Sequence, residues 1–400
     1  MKLGIIREGK TPPDSRVPLN PTQCKSLIEN GIDLFVQPSP NRCFPDQDYI
    51  EAGVPMSEDL SDREVLLGVK EVPKSQLIPN KTYFFFSHTI KEQPYNRDLL
   101  QYIVANKIRL VDYEVLTNDK GARVIAFGKF AGMVGAHNAL WTYAQRTGGF
   151  QLPRMKDMHD YAAAKEVYSK IDLPKMKIVL TGTGRVSTGA AMVLDDMGIR
   201  KVSPLEYVTN EFDEAVYTQL SSFYYVKRKD GQIFNSVKDF YNNPKDYESD
   251  FEHFLPMSDI MINGIYWDND APAFFTLDEI KKEDFNIKVI ADVTCDIAPV
   301  SSIPTTIDAS TIADPIFGYD RFRQEVVAPH GDDVIDMMTI DNLPNELPRD
   351  ASTAFGEMFI EHVLAELENP NSGLILRASI AMDGDLGPHF EYLRDYLQGK

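Results

Sequence analysis

Short apolar segments alternate with amphipathic ones along the first third of the chain. Residues 22–30 carry apolar side chains at helical spacing and are followed by Gly31, and a glycine in this position is typical of a helix C-terminus. Short apolar runs between turn residues are typical of buried parallel strands. The pattern predicts helices at residues 22–30 and 96–106 and strands at residues 3–7, 33–37, 65–69, 83–87 and 108–113.

A second series of the same kind follows a change in composition. Residues 130–146 are apolar, rich in small side chains and free of proline, which predicts a long buried helix. Alternation of strands and helices favours βαβ units in parallel sheets with helices on both faces. We therefore predict an α/β fold with two Rossmann-like domains. The further elements predicted are helices at residues 161–170, 187–197 and 348–367, strands at 177–180, 259–262 and 289–292, a hairpin at 222–234 around Lys229-Asp230-Gly231, and a polar surface excursion at 242–252.

Composition and charge exclude several classes of protein. The chain has 400 residues and a formal net charge of −19, and this acidity disfavours nucleic-acid binding because it repels phosphate groups. Its 43% hydrophobic content excludes a largely disordered chain. The N-terminus has no apolar signal core, and no apolar run reaches the roughly 18 residues of a membrane helix. Three widely spaced cysteines predict neither a disulfide framework nor a zinc site, so we expect a soluble cytoplasmic protein without a metal.

The strongest local motif is a glycine turn within the segment KIVLTGTGRVSTG, residues 177–189. A predicted strand runs directly into Gly182-Thr183-Gly184, and a predicted helix follows. Such a turn lets the backbone approach a pyrophosphate, whose charge is stabilised by the N–H groups at the helix N-terminus. The spacing is Gly-x-Gly-x-x-Ser, with Ser187 at the position of the usual third glycine. This arrangement favours a dinucleotide-binding loop over a simple tight turn.

The sequence leaves the choice between NAD and NADP open. NAD-binding folds usually place an acidic residue about 20 positions on, at the end of the second strand, where it binds the ribose. That strand is predicted near residues 201–202, followed by Ser203-Pro204, and Glu206 comes too late. Arg185, Arg200 and Lys201 are either the partners of a 2′-phosphate or solvated surface charges.

Ionisable residues follow several predicted strands of the first series. Ligands collect at the carboxyl ends of parallel strands, and Arg16, Lys70 and His88 each follow one. A desolvated lysine has a lowered pKa, and histidine titrates near neutral pH, so both suit proton transfer. The planar guanidinium of Arg16 suits a carboxylate, and Lys91 and Arg123 are further candidates. Taken singly, each of these residues also fits a structural role.

Several segments together resemble a known family. The chain is similar to the L-lysine-forming saccharopine dehydrogenases and lysine–ketoglutarate reductases, within the alanine dehydrogenase–transhydrogenase superfamily. The resemblance covers nearly the whole chain. It is carried by GVK at residues 68–70, FFSHTIK at 85–91, RLVDYE at 109–114, RVIAFG at 123–128, GTGRVS at 182–187, INGIYW at 262–267 and DNLPNELP at 341–348.

This resemblance implies roles for individual residues. Lys70 and His88 match the catalytic acid–base pair of the family. Residues 1–130 and 325–400 would form the substrate and catalytic domain, residues 131–324 the Rossmann dinucleotide-binding domain, with the active site in the cleft between them. The substrate pocket would be lined by Arg16, Glu71, Lys91, Glu114, Arg123 and Phe127. The cofactor, NAD or NADP, would lie along Gly182, Gly184, Arg185, Val186, Ser187, Asn263, Gly264, Ile265, Tyr266 and Asp292.

The implied activity is the interconversion of saccharopine with L-lysine and 2-oxoglutarate, a reaction of lysine metabolism. The partners would be small molecules, and the chain would be a monomer or a small homo-oligomer. One alternative is an alanine dehydrogenase, which usually has a Tyr-Leu-His-Leu-Ala segment in place of residues 86–91. Another is a non-catalytic sensor of nucleotides or amino acids, which has no need of Lys70 and His88.

Overall fold

The computed structural model describes residues 1–400 and contains seventeen strands and eleven α-helices joined by short turns. The strands are β1 (Lys2–Ile5), β2 (Asp33–Val36), β3 (Val65–Leu67), β4 (Thr82–Phe84), β5 (Arg109–Val111), β6 (Lys177–Thr181), β7 (Arg200–Lys201), β8 (Val216–Leu220), β9 (Val226–Arg228), β10 (Tyr247–Ser249), β11 (Ile260–Asn263), β12 (Val289–Asp292), β13 (Phe317–Asp320), β14 (Val326–Val327), β15 (Val334–Met338), β16 (Ser379–Met382) and β17 (Asp385–Leu386). The helices are α1 (Pro21–Glu29), α2 (Asp46–Glu51), α3 (Arg97–Ala105), α4 (Gly128–Thr147), α5 (Tyr161–Tyr168), α6 (Arg185–Asp196), α7 (Pro204–Thr209), α8 (Val237–Asn242), α9 (Pro348–His362), α10 (Gly373–Ala378) and α11 (Arg394–Gln398). None of these helices has the length and apolar composition needed to cross a membrane.

The chain divides into two compact units. The first unit comprises residues 1–127 and 348–400, and the second comprises residues 128–347. The chain thus leaves the first unit and returns to it. The return occurs later than the predicted residue 325, because β14 and β15 pair within the sheet of the second unit.

The first unit is built on a seven-stranded sheet in the order β17-β16-β5-β4-β3-β1-β2. Its five strands from β5 to β2 are parallel, and β16 and β17 run antiparallel at the edge. Along β3, Leu66 and Leu67 point to opposite faces and join separate apolar clusters. The strands are apolar on both faces because helices cover both sides of the sheet.

The second unit contains an eight-stranded sheet in the order β14-β13-β15-β12-β11-β6-β8-β7. The six strands from β15 to β7 are parallel. The long helix predicted around residues 130–146 is α4, which packs directly on α6. A Cβ atom added to Gly132 would lie 1.7 Å from the Val186 carbonyl oxygen, and one added to Gly189 would lie 1.9 Å from the Lys129 carbonyl oxygen. The small residues of α4 therefore allow its backbone to contact that of α6.

The predicted hairpin at residues 222–234 is wrong in its second strand. Gly231 does form a turn with φ +74°, but β9 pairs antiparallel with β10 rather than with the residues just after the turn. Helix α8 lies in the intervening segment. The segment predicted as a polar surface excursion, residues 242–252, contains strand β10. This strand was not predicted because its sequence is polar and one side of it is exposed.

Candidate active site

The ionisable residues of the first unit lie after neighbouring parallel strands. Glu8 follows β1, Lys70 follows β3, His88 follows β4 and Glu114 follows β5. These four strands are adjacent in the sheet and parallel. Because their carboxyl ends meet at one edge, the fold gathers residues that are far apart in the sequence.

Lys70 lies in a desolvated position. Its side chain is half-buried, and burial lowers its pKa from the ordinary lysine value, with a further lowering by the nearby Arg16 guanidinium. An amine with a lowered pKa exchanges protons more readily near neutral pH than an exposed lysine does. The structure thus gives Lys70 the environment expected of a proton-transfer group.

His88 is held by a carboxylate. Its Nδ1 atom lies 2.5 Å from Glu71 Oε1, and the second oxygen of Glu71 forms an ion pair with Lys10. Burial alone would raise the pKa of Glu71, but the hydrogen bonds from His88 and Lys10 outweigh it and lower that pKa to about 2. Because a carboxylate only accepts, Nδ1 carries the hydrogen, and Nε2 of the neutral ring bears the lone pair that takes up a proton.

A buried aspartate orders the loop that carries His88. Asp112 Oδ2 accepts hydrogen bonds from the Ser87 backbone N–H at 2.8 Å and from the Ser87 hydroxyl at 2.5 Å. The Asn96 amide donates to the Ser87 carbonyl at 3.3 Å. His88 itself has φ +57°, in the left-handed region that few non-glycine residues adopt. These bonds hold a backbone conformation that directs the imidazole towards Glu71.

Arg16 has a carboxylate partner within the chain. Its Nε and Nη2 atoms donate to the two oxygens of Asp14 at 2.9 and 2.6 Å, and both side chains are buried. The guanidinium also lies 4.4 Å above the Phe127 ring, which stacks on Phe355 at 5.2 Å. Asp14 was not among the predicted site residues. Its signal is the Asp-x-Arg spacing, which allows a local ion pair, and binding of a substrate carboxylate by Arg16 stays a prediction.

Glu114 and Arg123 form a second ion pair at the same edge. Arg123 Nη2 donates to Glu114 Oε1 at 3.0 Å, and the Arg123 side chain is 47% exposed. The other oxygen of Glu114 is buried and has no hydrogen-bond partner. Buried polar atoms are nearly always satisfied, so an unpaired carboxylate oxygen here favours a ligand donor. Lys91 is exposed on the turn that directly follows His88.

The glycine turn of the second unit has the geometry that the motif predicts. It connects β6 to α6, and Gly182 has φ +91°. A Cβ at Gly182 would lie 2.7 Å from Ser187 Oγ, whereas one at Gly184 would meet no atom within 4 Å. Ser187 is buried and its hydroxyl donates to the Thr181 carbonyl at 2.8 Å. An exposed Gly184 at the start of a long helix fits a pyrophosphate group.

Two of the predicted cofactor residues are bound inside the protein. Asn263, at the end of β11, accepts from the Thr181 hydroxyl at 2.8 Å and donates to Asp292 Oδ1 at 2.9 Å. The Thr306 hydroxyl donates to Asp292 Oδ2 at 2.6 Å. Burial raises the pKa of Asp292 to about 6, although these hydrogen bonds oppose the rise. The network joins the carboxyl ends of β6, β11 and β12, while Tyr266, 79% exposed, lies on the loop beyond it.

The expected position of the ribose-binding residue is wrong. On the side of β6 away from β11, the adjacent strand is β8, and β7 lies beyond it at the sheet edge. Ser203 and Glu206 form the capping box of α7 instead. Arg200 is paired with Glu214 at the surface. The residues that follow β8 are Ser221 and Ser222, and neither is acidic.

A shallow apolar pocket lies in the second unit beside the loop after β11. Tyr266 and Trp267 from that loop form one wall, and Tyr225 and Phe240 from the segment after β8 form another. Since β8 and β11 flank β6, the pocket is built from the loops on either side of the glycine turn. Tyr266 was predicted as a cofactor residue, but the pocket was not, because Tyr225 in its second wall lies in the misassigned hairpin region.

The sequence matches one known family over its N-terminal part and is similar to several named enzymes. Residues 4–134 match the family described as alanine dehydrogenase/PNT, N-terminal domain. The mitochondrial alpha-aminoadipic semialdehyde synthase of Mus musculus is 30% identical over 100% of this chain and 48% of its own length, so the chain spans about half of that relative. The saccharopine dehydrogenase [NAD(+), L-lysine-forming] of Yarrowia lipolytica is 29% identical over 96% of this chain and 97% of its own. Over nearly its whole length the chain is therefore similar to saccharopine dehydrogenases.

Solved structures with the same fold are known. An L-alanine dehydrogenase superposes with a TM-score of 0.66 at 16% identity, covering 99% of this chain and 100% of that one. A transhydrogenase from Sinorhizobium meliloti superposes with a TM-score of 0.61 at 14% identity, covering 96% and 100%. These likenesses confirm the predicted α/β fold with two mostly parallel sheets.

Proposed function

We propose that this homologue interconverts saccharopine with L-lysine and 2-oxoglutarate, with NAD or NADP as the cofactor. The observation that carries the proposal is the placement of Lys70 and the Glu71–His88 pair at adjacent strand ends. Lys70 is desolvated, and Glu71 orients the His88 ring so that Nε2 accepts a proton. A sensor that only binds ligands has no need of this pair.

The chemistry suits these residues. The bound nicotinamide supplies the hydride acceptor for the oxidation of the secondary amine of saccharopine. Water adds to the resulting imine, and the carbinolamine then releases lysine and 2-oxoglutarate. Lys70 and His88 take protons from the amine and from water and return one to the departing lysine nitrogen. In the reverse direction the same groups act with their protonation states exchanged.

The charged residues around the pair suit a substrate with three carboxylates. Arg16, Lys91 and Arg123 supply positive charge in a chain whose net charge is −19. We propose that Glu71 and Glu114 bind the ammonium groups and that Phe127 packs on the substrate chain. The unpaired oxygen of Glu114 supports this role, because an ammonium hydrogen would satisfy it.

The second unit would hold the cofactor. The turn from Gly182 to Ser187 fits the pyrophosphate, and the aromatic side chains beside Tyr266 offer apolar surface on which an adenine ring could stack. Neither Ser221 nor Ser222 supplies the carboxylate that selects NAD, so both cofactors are to be tested. We also propose that the protein acts in the cytoplasm, as a monomer or small homo-oligomer, and its three free cysteines suit a reducing compartment.

The decisive test follows absorbance at the nicotinamide band with purified protein. Saccharopine oxidation and lysine-plus-2-oxoglutarate reduction are measured with each cofactor, alongside pyruvate amination. Turnover of saccharopine supports the proposal and decides between NAD and NADP. Absence of turnover from folded protein contradicts it.

Alanine dehydrogenase activity is the second candidate, because the N-terminal match and the fold likeness both point to that superfamily. Strong pyruvate amination with poor saccharopine turnover would favour it.

A further inference from the structure

Glu8 contacts the main chain at Lys70, and no part of the proposed mechanism uses it. It lies just beyond the carboxyl end of β1, largely surrounded by protein although part of its side chain remains accessible. Its Oε1 atom accepts a hydrogen bond from the Val69 N–H at 2.7 Å, and its Oε2 atom accepts one from the Lys70 N–H at 2.9 Å. One carboxylate therefore binds two successive peptide groups.

These bonds continue the sheet after its backbone ladder has ended. The Ile6 N–H donates to the Leu67 carbonyl at 3.0 Å, which is the last main-chain bond from β1 to the β3 segment. On the other side, Phe86 N–H donates to the Val69 carbonyl at 2.9 Å. The Glu8 side chain thus supplies the acceptors that the β1 backbone would have offered, and the peptide groups of Val69 and Lys70 are held from both neighbouring strands.

We infer that Glu8 is the positioning residue of Lys70: its carboxylate fixes the peptide groups from which the Lys70 amine projects and so keeps that amine in its desolvated place. The inference rests on the proposed function only for the role of Lys70 in turnover. Catalytic groups displaced by as little as 1 Å can lose about a hundredfold in rate, so such an anchor is expected to matter.

Charged and buried groups surround Glu8. Burial raises its pKa to about 7, the two peptide N–H groups oppose the rise, and Asp14 raises it while Arg16 lowers it. The groups facing Glu8 are therefore the Val69 and Lys70 peptides, Asp14 and Arg16. The negative charge of Glu8 also acts on Tyr113: together with burial, it raises the pKa of the Tyr113 hydroxyl.

Glu8→Asp tests position without removing charge. The shorter side chain cannot reach both peptide groups, so the Lys70 segment should loosen and its amine should gain water. The matched control is Glu64→Asp, because the exposed Glu64 also accepts a backbone N–H, that of Lys2 at 3.1 Å, and lies just before β3. Trace acetylation with acetic anhydride across a pH series, quantified for each peptide by mass spectrometry, reports the titration of each lysine without substrate or cofactor.

We expect Glu8→Asp to raise the Lys70 labelling midpoint by about one pH unit, towards that of the exposed Lys120 in the same samples. Turnover should fall at least tenfold, by about one to two orders of magnitude in kcat, with KM changed by less than about threefold. Glu64→Asp should match the wild type in both measurements. A purely structural role for Glu8 would lower the unfolding temperature but leave the Lys70 midpoint in place.

An unchanged Lys70 midpoint in folded Glu8→Asp protein overturns the inference. If that variant does not fold, Glu8→Gln decides on the same measurement, because the amide of glutamine places a donor opposite one of the two N–H groups. A raised midpoint then supports the inference, and an unchanged one rejects it. If the wild-type protein shows no turnover, the proposed function is contradicted. The inference about Glu8 is still tested in that case, because the labelling experiment needs no substrate.

Discussion

Replacing Gly132 with alanine tests whether contact between α4 and α6 positions the cofactor loop. The new Cβ would lie 1.7 Å from the Val186 carbonyl oxygen, a backbone atom that no rotamer change can move. To reach 3.0 Å, the shortest separation that Cβ atoms ordinarily show, the helices must separate by about 1.3 Å. Because α6 begins directly after Gly184, this movement displaces the glycine turn itself.

Overpacking a well-packed interior typically costs 1–3 kcal/mol, and a rigid backbone contact belongs at the upper end, so we expect about 3 kcal/mol. The second unit has about 220 residues, for which each kcal/mol lowers Tm by about 2–4 °C. The expected decrease in Tm is therefore about 6–12 °C. Binding of NADH or NADPH, measured by nucleotide fluorescence, should weaken at least tenfold, since the N–H groups that face the pyrophosphate move with α6.

The control is Gly128→Ala at the start of the same helix. A Cβ there would lie 3.5 Å from its nearest neighbours, Arg185 and Val186, which is an ordinary contact. Alanine is also the better helix former, so stability should change by less than about 1 kcal/mol and nucleotide affinity should not change. If Gly132→Ala keeps the wild-type Tm and nucleotide affinity, the contact between α4 and α6 does not position the glycine turn.

Three further predictions concern single residues. Gly184→Ala should fold normally, because its Cβ meets no atom within 4 Å. It should weaken nucleotide binding at least about tenfold. Unaltered affinity would show that the pyrophosphate does not bind at this turn. Lys70→Met should lower kcat at least about a hundredfold with Tm unchanged, and normal turnover would exclude Lys70 from proton transfer. His137 is buried between the Tyr168 hydroxyl and the Pro153 carbonyl, and burial lowers its pKa to about 4. The folded state favours the neutral form of His137, so the free energy of unfolding should fall by about 3 kcal/mol as the pH drops from 6.5 to 4. The His137→Gln variant should not show this loss. Urea unfolding at both pH values measures this difference, and equal losses in the two proteins would contradict it.

The alternation of apolar and amphipathic segments was sufficient to predict the α/β fold, the five parallel strands of the first unit and the helices of eight or more residues, but not β8 or the strands from β13 to β17. Burial on both faces makes parallel strands apolar throughout, and such a signal is local. The same holds for the glycine turn, because the positive φ of Gly182 and the close approach of Ser187 are properties of one short segment.

The candidate site was predictable in part. Lys70 and His88 stand just after apolar runs, and the carboxyl ends of parallel strands gather ligands whatever the order of the strands. The partners of these residues were not predictable from that rule. Asp14 binds Arg16 through both oxygens, and Glu8 binds the backbone at Lys70, yet an acidic residue near a strand end is ordinary in so acidic a sequence.

The sequence by itself determined that the chain forms parallel α/β sheets, where the glycine turn lies and which strands are followed by ionisable residues, because these depend on the residues of one segment. Only the tertiary structure decided that β8 rather than β7 lies beside β6, that β9 pairs with the distant β10, and that Glu8 extends the sheet to Lys70. Strand order and side-chain partners depend on how the segments pack against one another, and several apolar strands of similar length compete for each place. The choice among them is made by the free energy of the whole unit, which no local pattern contains.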